Sequence, residues 1–217
     1  MNNVMVVEKP HVLSAKVIRE AEKHLRRSCK IMAGLVTRHG SCQLVHRKTS
    51  PFYTLAISII SQQLSKKAAQ TIRNRVMDIV PTFSPDCFMD ISIDTLRSTG
   101  LSSAKARYIL ELAKRVNDGR LNFDEIVQLS DEDAIGTLID LPGIGRWTAE
   151  MFLIFGLKRP DVLALGDAGL QRSARLLYGE SVQLENLGQL WRPFRSVASW
   201  YLWRHLDAPN AVLAKKS

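Results

Sequence analysis

Between residues 141 and 150 the chain reads LPGIGRWTAE. Two glycines one residue apart, behind a proline and ahead of an arginine, are costly unless the backbone needs unusual angles or something must approach it closely. A helix ending near Asp140 and another starting near Arg146 would leave Pro142-Gly143-Ile144-Gly145 as a tight turn between them, a helix–hairpin–helix. Backbone N–H groups stripped of nearby Cβ atoms can receive a phosphate, and the positive end of the following helix adds to the attraction. Gly143, Ile144, Gly145, Arg146 and Thr148 are the residues expected at such a grip, which holds a phosphate without reading sequence. A GxG alone is more often an ordinary turn. Here 30 Lys and Arg face 21 Asp and Glu, a net charge of +9, and that excess favours a polyanion, most economically nucleic acid.

The elements that must carry this turn are helical. Ile109, Leu112, Ala113 and Val116 recur with helical spacing behind a capping Ser102, and Ser130 with Asp133 resembles a capping box ahead of Ala134, Ile135, Leu138 and Ile139. Leu170, Ala174 and Leu177 mark another helix, and Trp191, Phe194, Val197, Ala198, Tyr201, Leu202 and His205 a last long one. Ile60, Leu64, Ala68, Ile72 and Val76 recur every four residues, but Gln62-Gln63 fits a helix end better than a core, with Ser65 capping the next helix. Cys42 to Val45 is too short for a sheet, and Gly40 to Ser50 reads as a basic loop. The expected fold is all-α, with no repeats.

At 217 residues with 46% hydrophobic side chains, the chain can bury a sizeable core. Cys29, Cys42 and Cys87 lie far apart, so neither zinc nor an iron–sulfur cluster is suggested, and the sparse count fits a reducing cytoplasm. No signal peptide or membrane-spanning run is expected.

LPGIGRWTA, DVLALGDAGL at 161–170, SIISQQLS at 58–65 and WRPFRSVASWYLWR at 191–204 together resemble the helix–hairpin–helix DNA glycosylases, most of all the alkylbase, 3-methyladenine DNA glycosylase II group. The resemblance runs from about Phe52 to Arg204. It implies two helical lobes around a DNA-binding cleft, a central one of about 55–160 and another from about 1–54 and 161–217. It also implies that the N-terminal β-domain of some relatives is missing.

The family's catalytic aspartate corresponds to Asp167, although an Asp just before Ala168-Gly169-Leu170 is also a natural N-cap. A fixed anion there would stabilise positive charge developing on the sugar as a base departs. Trp147 stands where strand-nicking relatives carry a lysine, so no lyase step is expected. The resemblance makes Trp147 and Trp203 base-pocket residues able to stack on a cationic base, with Phe52 and Tyr53 as weaker candidates that core packing explains better. It places Gln63, or Leu64 in a shifted register, as the side chain that fills the gap left by a flipped base. Lys66, Lys67, Lys105 and Arg107 are possible phosphate contacts. The carbonyls of Ile139, Leu141 and Ile144 are implied ligands of a Na+ or K+ ion, and no other cofactor is required.

The expected activity is therefore hydrolytic excision of alkylated purines, of the 3-methyladenine and 7-methylguanine type, from double-stranded DNA in base excision repair. A monomer would suffice, in the cytoplasm with the nucleoid of a bacterium or in the nucleus of a eukaryote. The alternatives are a mismatch or oxidised-base glycosylase on the same fold, or a helix–hairpin–helix module that only binds DNA.

Overall fold

The structure is a computed structural model and describes residues 12–46 and 49–208. It is all-α: thirteen α-helices and no strand among the described residues. The chain divides into two compact units, 1–48 with 153–217, and 49–152.

In the first unit, α1 (Ala15–Ser28) turns Ile18, Ala21 and Leu25 inward, and α2 (Lys30–His39) answers with Met32, Leu35 and Val36. Neither helix is among those the sequence reading marks, although the spacing of three and four along α1 is the helical signal. The loop after α2 is tied down by the Glu22 carboxylate, which accepts from Ser41 Oγ at 2.8 Å and the Cys42 amide at 2.9 Å. A short 3₁₀ turn follows at Leu44–His46.

The second unit opens with α3 (Pro51–Ser61), capped by Ser50 with Pro51 at its first position. Its apolar face, Phe52, Leu55, Ala56, Ile59 and Ile60, is buried. The four-residue periodicity from Ile60 to Val76 is broken after Ser61, as the glutamine pair implied, and α4 (Lys66–Ile79) starts on Ser65, which accepts from the Ala68 amide. Short helices α5 (Pro85–Met89) and α6 (Ile93–Ser98) pack on α7 (Ser103–Asn117), as does α3. Then come α8 (Phe123–Gln128), α9 (Asp131–Ile139) and α10 (Arg146–Met151). Ser102 and Ser130 cap their helices as expected.

The chain re-enters the first unit through a π-helical turn, Phe152–Gly156. Its boundary falls at 153 and not near 161, because this stretch is bonded to first-unit backbone: the Leu13 amide donates to the Lys158 carbonyl at 2.8 Å, and the Ser196 amide to Pro160 at 2.9 Å. After it, α11 (Ala168–Tyr178) and α12 (Leu184–Trp191) precede α13 (Arg195–Leu206). The expected single helix from Trp191 is thus two. Pro193 has no N–H to donate and disfavours helical angles in Arg192, and Phe194 adopts a non-helical backbone.

The two glycines of the hairpin between α9 and α10 stand in different situations. The Ile144 amide donates to the Leu141 carbonyl at 3.0 Å, with Pro142 and Gly143 between them, and Gly143 has φ +81°. That is a type II turn, with Pro at its second position and a left-handed residue at its third. A Cβ on Gly143 would also lie 2.2 Å from Cδ2 of Tyr108 on α7. Leu141 and Ile144 bury their side chains and anchor the turn. Gly145 differs: it is the N-cap of α10, its φ of −95° suits any residue, and a Cβ there would meet nothing within 4 Å. Gly143 is required by the protein itself, whereas Gly145 keeps open space in front of a helix N-terminus. In denaturant unfolding, Gly143→Ala should cost at least about 2 kcal/mol, from left-handed strain plus the clash with Tyr108. Gly145→Ala should cost less than about 1 kcal/mol, and equal costs would remove the distinction.

Candidate active site

Asp167 sits at the N-cap of α11 and is 8% exposed. Its Oδ1 accepts from the Leu170 amide at 2.7 Å and from the indole Nε1–H of Trp203, on α13, at 2.9 Å. The cap expected from the sequence and the side chain implied by the family resemblance are therefore one carboxylate, fixed from two directions. Trp203 is partly buried, and its ring lies 5.6 Å from that of Phe155, tilted by 32°. No sequence motif singles out Phe155. It is aimed by the π-helical turn, a local widening of the helix that periodicity does not reveal and that recurs at functional sites.

The segment leading to Asp167 is stapled to the start of α13. Arg195 grips the Asp161 carboxylate with both arms of its fork, Nε to Oδ1 at 2.7 Å and a terminal nitrogen to Oδ2 at 3.0 Å. The Val162 amide donates to Ser196 Oγ at 3.0 Å. Asp161, six residues before Asp167, is a structural anchor.

The second unit holds the hairpin and the glutamine turn. Gln62 Nε2 donates to the Gly143 carbonyl at 2.7 Å, so the two are bonded directly. Gln63 follows with φ +55° and an exposed side chain, and Leu64 is exposed beside it. Trp147, in the first turn of α10, is 46% exposed, unusual for so large an apolar ring.

Several expected roles are corrected by these positions. Phe52 is 2% exposed, 5.5 Å from Phe88 and 6.2 Å from Phe83, and is a core residue of the second unit. Tyr53 packs edge-on against Phe83 at 5.0 Å in the same aromatic cluster. Both stand on the first turn of α3; packing accounts for the buried Phe52, whereas Tyr53 is only half-buried. In the hairpin, the Ile144 amide is committed to the turn and Thr148 is 4% exposed, its Oγ1 3.5 Å from Gln62 Nε2. The Arg146 guanidinium is paired with Glu132 at 2.6 Å and Glu150 at 3.2 Å, and the bond to Glu132 foremost holds its pKa above the ordinary arginine value. At the start of α10, Gly145 supplies no side-chain acceptor to the first-turn backbone.

Lys105, expected as a phosphate contact, instead donates to the carbonyls of Gln62 at 2.6 Å and Ile60 at 3.0 Å, closing the end of α3. Burial lowers its pKa. Lys66, Lys67 and Arg107 are exposed.

Among the described residues no group of three His, Cys, Asp or Glu is placed to hold a metal ion, and no helix is long and apolar enough to cross a membrane. The hairpin carbonyls are another kind of donor set. Leu141 accepts the Ile144 amide and keeps a second lone pair, so neutral oxygens of this kind fit a hard monovalent cation.

Residues 56–193 match the family described as HhH-GPD superfamily base excision DNA repair protein. Over 199 residues the chain is 31% identical to the alkylbase DNA glycosidase-like protein mag2 of Schizosaccharomyces pombe, covering 86% of this chain and 92% of that one. Among solved structures, a DNA-3-methyladenine glycosidase from Bacillus halodurans is 37% identical with a TM-score of 0.76, covering 87% of this chain and 89% of that one. The 3-methyladenine DNA glycosylase Mag1 of Schizosaccharomyces pombe, solved with abasic DNA, is 30% identical with the same TM-score, covering 88% and 98%. With its hairpin, its capped aspartate and these relatives, the chain belongs to the HhH-GPD superfamily of base excision DNA repair proteins.

Proposed function

We propose that this chain is a monofunctional DNA glycosylase that excises N3- and N7-alkylated purines from duplex DNA. The observation that carries this reading is the buried Asp167 carboxylate, held by the Leu170 amide and the Trp203 indole. Alkylation at N3 or N7 makes the base a cation, and when the bond from C1′ to the base nitrogen breaks, the electron pair stays with the base and neutralises it. Positive charge passes to the sugar, where a preorganised anion stabilises it without a general acid. Water then adds to C1′, loses a proton to solvent, and leaves an abasic sugar.

Trp147 and Trp203 are the electron-rich faces for a cationic base. With Trp147 in place of an amine nucleophile, the reaction ends at hydrolysis. The hairpin holds a phosphate through backbone donors around Gly145, and the carbonyls of Ile139, Leu141 and Ile144 would hold a Na+ or K+ ion that adds positive charge at that grip. Gln63 plugs the gap left by the flipped base, with Leu64 beside it. One chain carries every one of these groups, so the protein acts as a monomer wherever duplex DNA is.

Two variants test the reading. Asp167→Asn keeps an oxygen to accept both bonds but removes the charge. In single-turnover assays on methylated DNA, release of 3-methyladenine should fall by at least about 100-fold while DNA binding and the thermal melt stay close to parental. Release at the parental rate from the folded variant would sink the mechanism. Gly145→Val places a branched side chain in the open space before α10. It should weaken binding to any duplex and reduce the slope of log K against log salt by about one for each phosphate that the variant no longer holds. An unchanged affinity and slope would make the hairpin purely structural.

A further inference from the structure

The turn after α3 repeats the geometry of the hairpin. The Leu64 amide reaches back to the Ser61 carbonyl at 3.3 Å; between them Gln62 has φ −54° and ψ 135°, and Gln63 has φ +55°. This too is a type II turn, with a glutamine where glycine is ordinarily required. A left-handed non-glycine residue costs about 1–3 kcal/mol and persists only where its surroundings hold it.

Those surroundings are specific. Lys105 pins the Gln62 carbonyl at 2.6 Å, and the Gln62 side chain crosses to the Gly143 carbonyl, the third residue of the other type II turn. Tyr108, whose ring fills the space under Gly143, stands one helical turn after Lys105 on the same face of α7. One face of one helix therefore sets both turns, and one amide joins them.

We infer that Gln62 is a positioning residue that couples the hairpin to the turn carrying Gln63, so that grip on the backbone and insertion into the duplex act as one unit. Gln62 does not itself meet the DNA. It fixes the distance and angle between the phosphate held at the hairpin and the side chain that fills the gap. The inference rests on the reading of Gln63 as the plug. It explains why a strained glutamine stands at this turn: a glycine would relax the backbone but could fill no gap.

Binding to a duplex with a tetrahydrofuran abasic analogue and to the same duplex undamaged would be measured for the parent, Gln62→Ala, Gln62→Glu, Gln63→Ala and the Gln62→Ala/Gln63→Ala double variant, each checked by thermal melt. Gln62→Glu keeps the size of the side chain and loses the donor, so a poorly folded alanine variant does not decide the matter. Both Gln62 variants should lose roughly three- to tenfold of the preference for abasic DNA, the range set by one net hydrogen bond, and the uncharged Gln62→Ala should do so with the salt slope unchanged. The double variant should lose no more than the worse of its two singles. A full preference in folded Gln62 variants overturns the coupling, as do losses that multiply in the double variant, which would make Gln62 and Gln63 act separately. Gln63→Ala with a full preference overturns the plug reading and the coupling with it, and is recognisable because the failure then lies at Gln63.

Discussion

A carboxylate taken out of water must be hydrogen-bonded or it is neutralised or expelled, and the first unit is arranged around that requirement at Asp167. Two N–H groups meet its Oδ1, one from the first turn of α11 and one from an indole 36 residues further along, on α13. Both helices must therefore be fixed against each other, and they pack directly. The start of α13 is fixed in turn by the fork of Arg195 on Asp161 and by Ser196 on Val162, groups that stand in the segment delivering Asp167. The Asp161 and Arg195 side chains are only 23% and 17% exposed, so solvent screens the pair less than an ordinary surface bridge. Position of the anion is thus set by a closed loop of contacts, from 161 to 167 along the chain and back through α13.

The hairpin in the second unit follows another logic. Its side chains are almost all spoken for: Leu141 and Ile144 are buried, Thr148 faces Gln62, and Arg146 is held by two carboxylates. Trp147 is the exception, 46% exposed, and a Cβ on Gly145 would meet nothing within 4 Å, so the space before α10 is open. A contact made by backbone alone suits a phosphate and reads no base.

What could be read from the sequence was whatever is local. Ser65, Ser102, Ser130 and Asp167 cap the helices expected of them, because a cap and its amide lie two or three residues apart. The family motifs located Asp167 and Trp203, but not the hydrogen bond that joins them, which spans 36 residues. Gln62 and Gly143 are 81 apart, and nothing near either announces the other. Lys105 looks like any surface lysine because its partners are carbonyls, which every sequence contains. Phe52 shows the opposite failure: an aromatic ring near a motif invites a binding role, and only its burial against Phe83 and Phe88 removes it. The break at Pro193 is visible in principle, but the apolar spacing from Trp191 to His205 carries across it.

On the proposed mechanism, holding the DNA and selecting the lesion are separate tasks. A grip made of backbone holds damaged and undamaged DNA alike, so discrimination has to arise where charge develops. A single carboxylate lowers the barrier for any base that leaves with its electron pair, but by a limited amount. A neutral purine must still acquire a proton or depart as an anion, and the amide and the indole that fix Asp167 are not acids able to supply one. A cationic alkylpurine has no such need, because the charge that makes it stack on tryptophan also makes it a good leaving group. Stacking and departure then favour the same lesions, and the chemistry of the leaving base supplies selectivity that the hairpin does not.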